Sequence, residues 1–156
     1  MTRNRATSGT AGRVVFVGAG PGDPGMLTAR ATAALTEASV VLVDPDVSVA
    51  VQDAVREAHP QAELTAAAGE PAEVAKAAVA AAKNGAVIVR LVAGDPYTAD
   101  AVVKEVLAVG RTAVPFDVVP DPASPDEHWR GTLSYDATLS FSHRCIHQRN
   151  GTRYFV

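Results

Sequence analysis

The sequence predicts an α/β fold, a doubly wound and mostly parallel sheet, and three observations predict it. Three short runs, residues 14–17, 40–43 and 87–91, are apolar on consecutive positions rather than alternating, which is the pattern of strands buried on both faces. Between them stand segments rich in Ala, Leu, Glu and Lys, of helical composition. Directly after each run comes a loop containing Asp and Pro, in the first and third also Gly. Ligands of open parallel sheets bind there, outside the carboxyl ends of the strands.

Each element follows in order. Run 14–17 leads through a Gly/Pro loop into a helix expected over 27–38, and run 40–43 into a helix over 46–58, for which Asp44 or Asp46 is a candidate N-cap. A short strand comes next. The helix over 71–84 starts at Pro71, which suits a first helical turn, and ends at Asn84-Gly85, which reads as a C-cap. Run 87–91 precedes a helix over 99–109 closed by Gly110, with Asp95 as cap and Pro96 as first residue being an alternative start. The last strand, 112–119, contains Pro115, which has no N–H to give a ladder and so belongs on an edge or at a strand start. This alternation calls for right-handed crossovers in one sheet.

Composition narrows the function classes. A hydrophobic fraction of 47% with 20% charged residues belongs to a folded globular chain. The formal net charge of -3 provides no basic field for nucleic acid or for an anionic membrane face. Cys145 is the only cysteine, so neither an internal disulfide nor a cysteine-built zinc site is available, which fits a reducing compartment. The longest apolar runs are strand-sized, and the expected location is the cytoplasm. Residues 1–12 are polar and basic without the apolar stretch of a secretory signal, and are expected to be a disordered N-terminus ahead of a domain over 13–120.

A composition break falls near Pro120. Residues 121–156 hold three of the four His, the only Trp (Trp129), the only Cys and just two Ala. They read as an atypical tail, with a linker-like opening and a hairpin over 133–146, from a truncated or frame-shifted end rather than a small accessory segment. His143 and His147 flank Cys145, but a helical face is needed to bring them together and no Glu accompanies them, so no metal site is expected.

The loops carry the chemistry. In Gly18-Ala19-Gly20-Pro21-Gly22-Asp23-Pro24-Gly25 the glycines permit close approach of backbone to ligand, and the following helix start offers unpaired N–H groups. Alone this is a weak motif, since a dinucleotide fingerprint needs Gly where Asp23 stands, a Walker loop needs Gly-Lys-Ser/Thr, and a plain Gly-rich turn looks the same. Asp44, at the carboxyl end of a buried run, is the candidate general base. Ala93-Gly94-Asp95-Pro96-Tyr97-Thr98 again joins a glycine whose amides can face a ligand to a carboxylate.

Taken together, Val17-Gly-Ala-Gly-Pro-Gly-Asp-Pro-Gly-Met-Leu-Thr28, Ala38-Ser-Val-Val-Leu-Val-Asp44, Val89-Arg-Leu-Val-Ala-Gly-Asp-Pro-Tyr97 and Phe116-Asp-Val-Val-Pro120 resemble, in order and spacing, the N-terminal half of the tetrapyrrole methylases. The resemblance covers residues 13–120 and is nearest to the uroporphyrinogen-III C-methyltransferase branch, with a flavour of actinobacterial fusions to uroporphyrinogen-III synthase. It implies S-adenosyl-L-methionine as cofactor, uroporphyrinogen-III as substrate, and methylation toward precorrin-2 in sirohaem and cobalamin biosynthesis. By the same resemblance Pro21, Ala93, Gly94, Asp95 and Thr98 bind the cofactor, Gly20, Gly22 and Asp23 border the tetrapyrrole, and Asp44 is the proton acceptor. A homodimer is a further expectation. Arg30 and Arg90 are available to the substrate carboxylates, or lie on a solvated surface or at a sheet end.

Three departures stand out. The lysine that the family usually places downstream of the aspartate, as a proton donor, has no counterpart in Leu64-Thr-Ala-Ala-Ala-Gly69. The commoner Gly-Gly-Asp reads Ala93-Gly94-Asp95, and the glycine that usually follows the last strand is Asp121. An incomplete enzyme is therefore expected. The alternatives are a non-catalytic α/β remnant or binding module, and a methylase of another tetrapyrrole intermediate.

Overall fold

The computed structural model describes residues 12–121, 146–149 and 152–155. Expectations that fall on 1–11 and 122–145, including nearly all of a hairpin over 133–146, lie outside the described residues.

The elements run β1 (Arg13–Gly18), α1 (Ala29–Glu37), β2 (Val40–Val43), α2 (Val49–Ala58), β3 (Glu63–Ala66), α3 (Pro71–Lys83), β4 (Val87–Val92), α4 (Asp100–Gly110) and β5 (Phe116–Val119), then β6 (Ile146–Arg149) and β7 (Thr152–Phe155). The first five strands form one parallel sheet in the order β3-β2-β4-β1-β5. β6 and β7 pair antiparallel in a separate two-stranded sheet.

Burial follows position in that order. Central β4 is buried at every residue and β1 at all but Arg13, which is why their apolar residues are consecutive. The edge strand β3 is mostly exposed. Alternate residues feed two cores. Val15, Val17, Val41, Val43, Val89 and Leu91 pack with Ala31 and Leu35 of α1 and Val51 and Val55 of α2. Val14, Phe16, Ile88 and Val92 pack with Ala75, Ala78 and Val79 of α3 and Val102 and Val109 of α4. A sheet with helices on both faces results.

The helix ends follow local chemistry. Thr28 Oγ1 accepts from Ala31 N at 2.9 Å to start α1, and α3 begins on Pro71. α2 starts later than expected, at Val49, because Ser48 rather than Asp44 or Asp46 is its N-cap. α4 begins at Asp100 after Ala99, within a residue of the expected start, and the alternative start at Pro96 is not taken: Asp95 closes a turn instead, accepting from Tyr97 N at 2.9 Å. The last strand is shorter than expected. β5 starts just after Pro115, on the edge beside β1, where the missing N–H disturbs no ladder. Among the described residues no helix is long and apolar enough to cross a membrane.

Candidate functional site

All the strand-end loops singled out in the sequence leave the sheet at its carboxyl edge. Gly20 and Gly94 form an antiparallel bridge, with Gly94 N donating to Gly20 O at 3.1 Å and Gly20 N to Gly94 O at 3.4 Å. Both are left-handed, at φ 64° and 69°, a conformation that favours glycine. Ser48 ties the loop after β2 to the first: its hydroxyl donates to Gly22 O at 2.7 Å while accepting from Val51 N. Ala19 N and Asp44 N donate to Val92 O and Leu91 O, continuing the ladders past the strand ends.

Gly20 is buried while Pro21 and Asp23 are exposed, and Asp23 caps a short 3-10 turn (Pro24–Met26) by accepting from Gly25 N at 2.8 Å. Ala93 and Gly94 are half-buried, Asp95 is buried and Thr98 is exposed, its hydroxyl donating to Asp95 O. Asp44 is half-buried, at 19% side-chain exposure. Its Oδ1 accepts from Asp46 N at 3.1 Å and its Oδ2 from Arg90 Nη2 at 3.0 Å.

Arg90 corrects an expectation. Only 4% exposed in the middle of β4, it offers nothing to a substrate carboxylate from a solvated surface. Its Nε and Nη2 donate to Glu105 Oε2 and Oε1 at 2.8 and 3.1 Å, and its Nη1 donates to Leu91 O. Arg30 instead pairs with Asp117. That pair and Arg13–Glu37 border an open groove of about 290 Å³ between α1 and β5, which none of Gly20, Asp44 or Gly94 lines. The groove is thus separate from the carboxyl rim where the strand-end loops meet.

Three contributors escaped the sequence reading. Ser48 carries a signal, a hydroxyl residue directly before a helical segment, that could have found it. Glu105 carries none, being one acidic residue on a helix until α4 folds over Arg90. Asp121 was noticed as a departure only. It is buried, and its carboxylate lies over Gly20, where a Cβ would come within 3.4 Å of Oδ1.

Residues 13–129 match the model of the family described as tetrapyrrole (corrin/porphyrin) methylases. The chain belongs to this family. Among other tetrapyrrole methylases it is 39% identical over 137 residues to siroheme synthase 1 of Yersinia enterocolitica, covering 85% of this chain and 28% of that one. It is 34% identical over 116 residues to the uroporphyrinogen-III C-methyltransferase of Methanocaldococcus jannaschii, covering 70% of this chain and 47% of that one. A solved structure of uroporphyrin-III C-methyltransferase from Thermus thermophilus, complexed with S-adenosyl homocysteine, matches with a TM-score of 0.62 at 38% identity, over 70% of this chain and 48% of that one. A cobalt precorrin-4 methyltransferase of cobalamin biosynthesis matches with a TM-score of 0.64 at 28% identity, over 76% and 49%. The tetrapyrrole methylase chain described here thus spans less than half the length of each of these relatives.

Proposed function

We propose that residues 13–120 are the cofactor-binding α/β half of an S-adenosylmethionine-dependent C-methyltransferase of uroporphyrinogen-III, working toward precorrin-2 and so toward sirohaem and cobalamin. The observation that carries this reading is the Gly20–Gly94 bridge, because it gathers the two most family-specific loops at one rim with Asp44. The names of the relatives support the substrate, and the Thermus thermophilus complex supports the cofactor.

The rim fits such a ligand. Nothing lies within 4 Å of the place a Cβ on Gly94 would take, so a flat ligand can rest directly on the left-handed backbone. The buried carboxylate of Asp95 opposes a phosphate group and favours a cation. When bound, S-adenosylmethionine supplies an electrophilic methyl group on a positively charged sulfur. Pro21, Ala93, Gly94, Asp95 and Thr98 hold and orient it, so that the acceptor carbon lies in line. Gly20, Gly22 and Asp23 border the tetrapyrrole, and Asp44 accepts the proton released as the pyrrole carbon is methylated. The same reading takes the protein to be cytoplasmic and homodimeric, the latter checked by sedimentation equilibrium.

Calorimetric titration of the full chain with S-adenosylhomocysteine tests the reading. Saturable binding is expected, and a folded sample that binds none removes the methyltransferase assignment. The likeness to a cobalt precorrin-4 methyltransferase favours a second reading, methylation of a later corrin intermediate. Mass spectrometry of products from uroporphyrinogen-III and from corrin precursors separates the two.

A further inference from the structure

We propose that Arg90 and Glu105 are positioning residues for Asp44: Glu105 clamps the Arg90 guanidinium, and the guanidinium holds the Asp44 carboxylate at the rim. This rests on Asp44 being the proton acceptor. Arg90 stands on β4 between Ile88 and Val92, on the face covered by α3 and α4, where any aliphatic residue would pack. A buried charge is tolerated there only with its partners in place.

Those partners fix the guanidinium in every direction. Two parallel bonds to Glu105, at 2.8 and 3.1 Å, set its plane, and a third, to Leu91 O at 3.2 Å, sets its tilt. The remaining Nη2 proton then points at Asp44 Oδ2, 3.0 Å away. No hydrogen bond joins Glu105 to Asp44 among those of the described residues, so its influence there passes through Arg90. Glu105 lies on α4, directly after the Gly94 loop, and Asp44 at the end of β2. The network therefore links the helix behind one loop to the carboxylate of another.

The test uses the full chain and the isosteric variant Glu105→Gln, with Asp44→Asn and Arg90→Lys beside it. The first readout is the Asp44 side-chain carboxyl ¹³C signal together with the Arg90 Nε–H resonance. In folded Glu105→Gln the Asp44 signal is expected to move and the Arg90 resonance to broaden by exchange. An Asp44 signal unchanged in that variant overturns the proposal, whether or not the chain methylates anything. The second readout is turnover of uroporphyrinogen-III. Glu105→Gln is expected to lower kcat about a hundred-fold with KM little changed, with part of the loss restored when Arg90→Lys is compared with Arg90→Met. In the Asp44→Asn background Glu105→Gln is expected to have no further effect. An equal loss in both backgrounds marks a purely structural role and overturns the positioning assignment.

Discussion

At Gly18 a missing side chain is demanded by an oxygen atom: a Cβ there would stand 2.7 Å from Gly94 O and 3.0 Å from Pro96 Cδ. Backbone oxygen cannot swing aside as a long side chain can, so Gly18→Ala must part the first and third loops. Urea denaturation is expected to show a loss of about 1–3 kcal/mol, with weakened binding of S-adenosylhomocysteine. Asp44 makes the opposite prediction. Asp44→Asn keeps an oxygen for Arg90, which also retains Glu105, so stability should fall by no more than about 1–2 kcal/mol. Turnover should fall about 10²–10⁴-fold, as for loss of a general base. A variant that unfolds instead would show that the aspartate serves the fold. Asp44 was legible as a candidate because its strand end is marked by composition, whereas its bond to Arg90 was not, because the two lie 46 residues apart.

At the scale of elements, the same kinds of bond differ in worth according to where the elements put them. Glu105 reaches from α4 into a core lined by Val102, Val109 and Ile88. Glu105→Ala leaves the Arg90 charge only the half-buried Asp44, and the expected cost is about 3–5 kcal/mol by chemical denaturation. The Arg56–Asp53 pair on α2 is exposed on both sides, and Asp53→Ala should change stability by about 0–1 kcal/mol. Ser48 both caps α2 and holds the first loop. Ser48→Ala is expected to cost about 1 kcal/mol for the cap, together with faster amide exchange around Gly22, and an unchanged exchange rate would show that the loops are held by the glycine bridge alone. Helix and strand positions were legible to within a few residues, because periodicity and Pro or Gly punctuation are local. The helix start that moved, of α2, did so where the Asp44-Pro45 pair closes its own turn before the helix begins, whereas the similar turn at Asp95-Pro96 leaves α4 where it was expected.

For the whole molecule, binding at the rim should stabilise the folded state as a whole, since the loops there close β1, β2 and β4 at once. With S-adenosylhomocysteine at a hundred times its Kd, the unfolding free energy should rise by about 2.7 kcal/mol, read as a higher Tm. A rise of the same size in Gly18→Ala would mean that the ligand binds elsewhere. The sequence by itself determined the α/β class, the approximate elements and the loops that carry the family resemblance. It could do so because runs buried on both faces leave a mark that needs no knowledge of neighbours. Only the tertiary structure decided that Gly20 meets Gly94, that Asp121 lies over Gly20, and that Arg90 faces inward between Glu105 and Asp44. Those pairings depend on the strand order β3-β2-β4-β1-β5, which sets distant strand ends side by side, and strand order is a property of packing that no local period records.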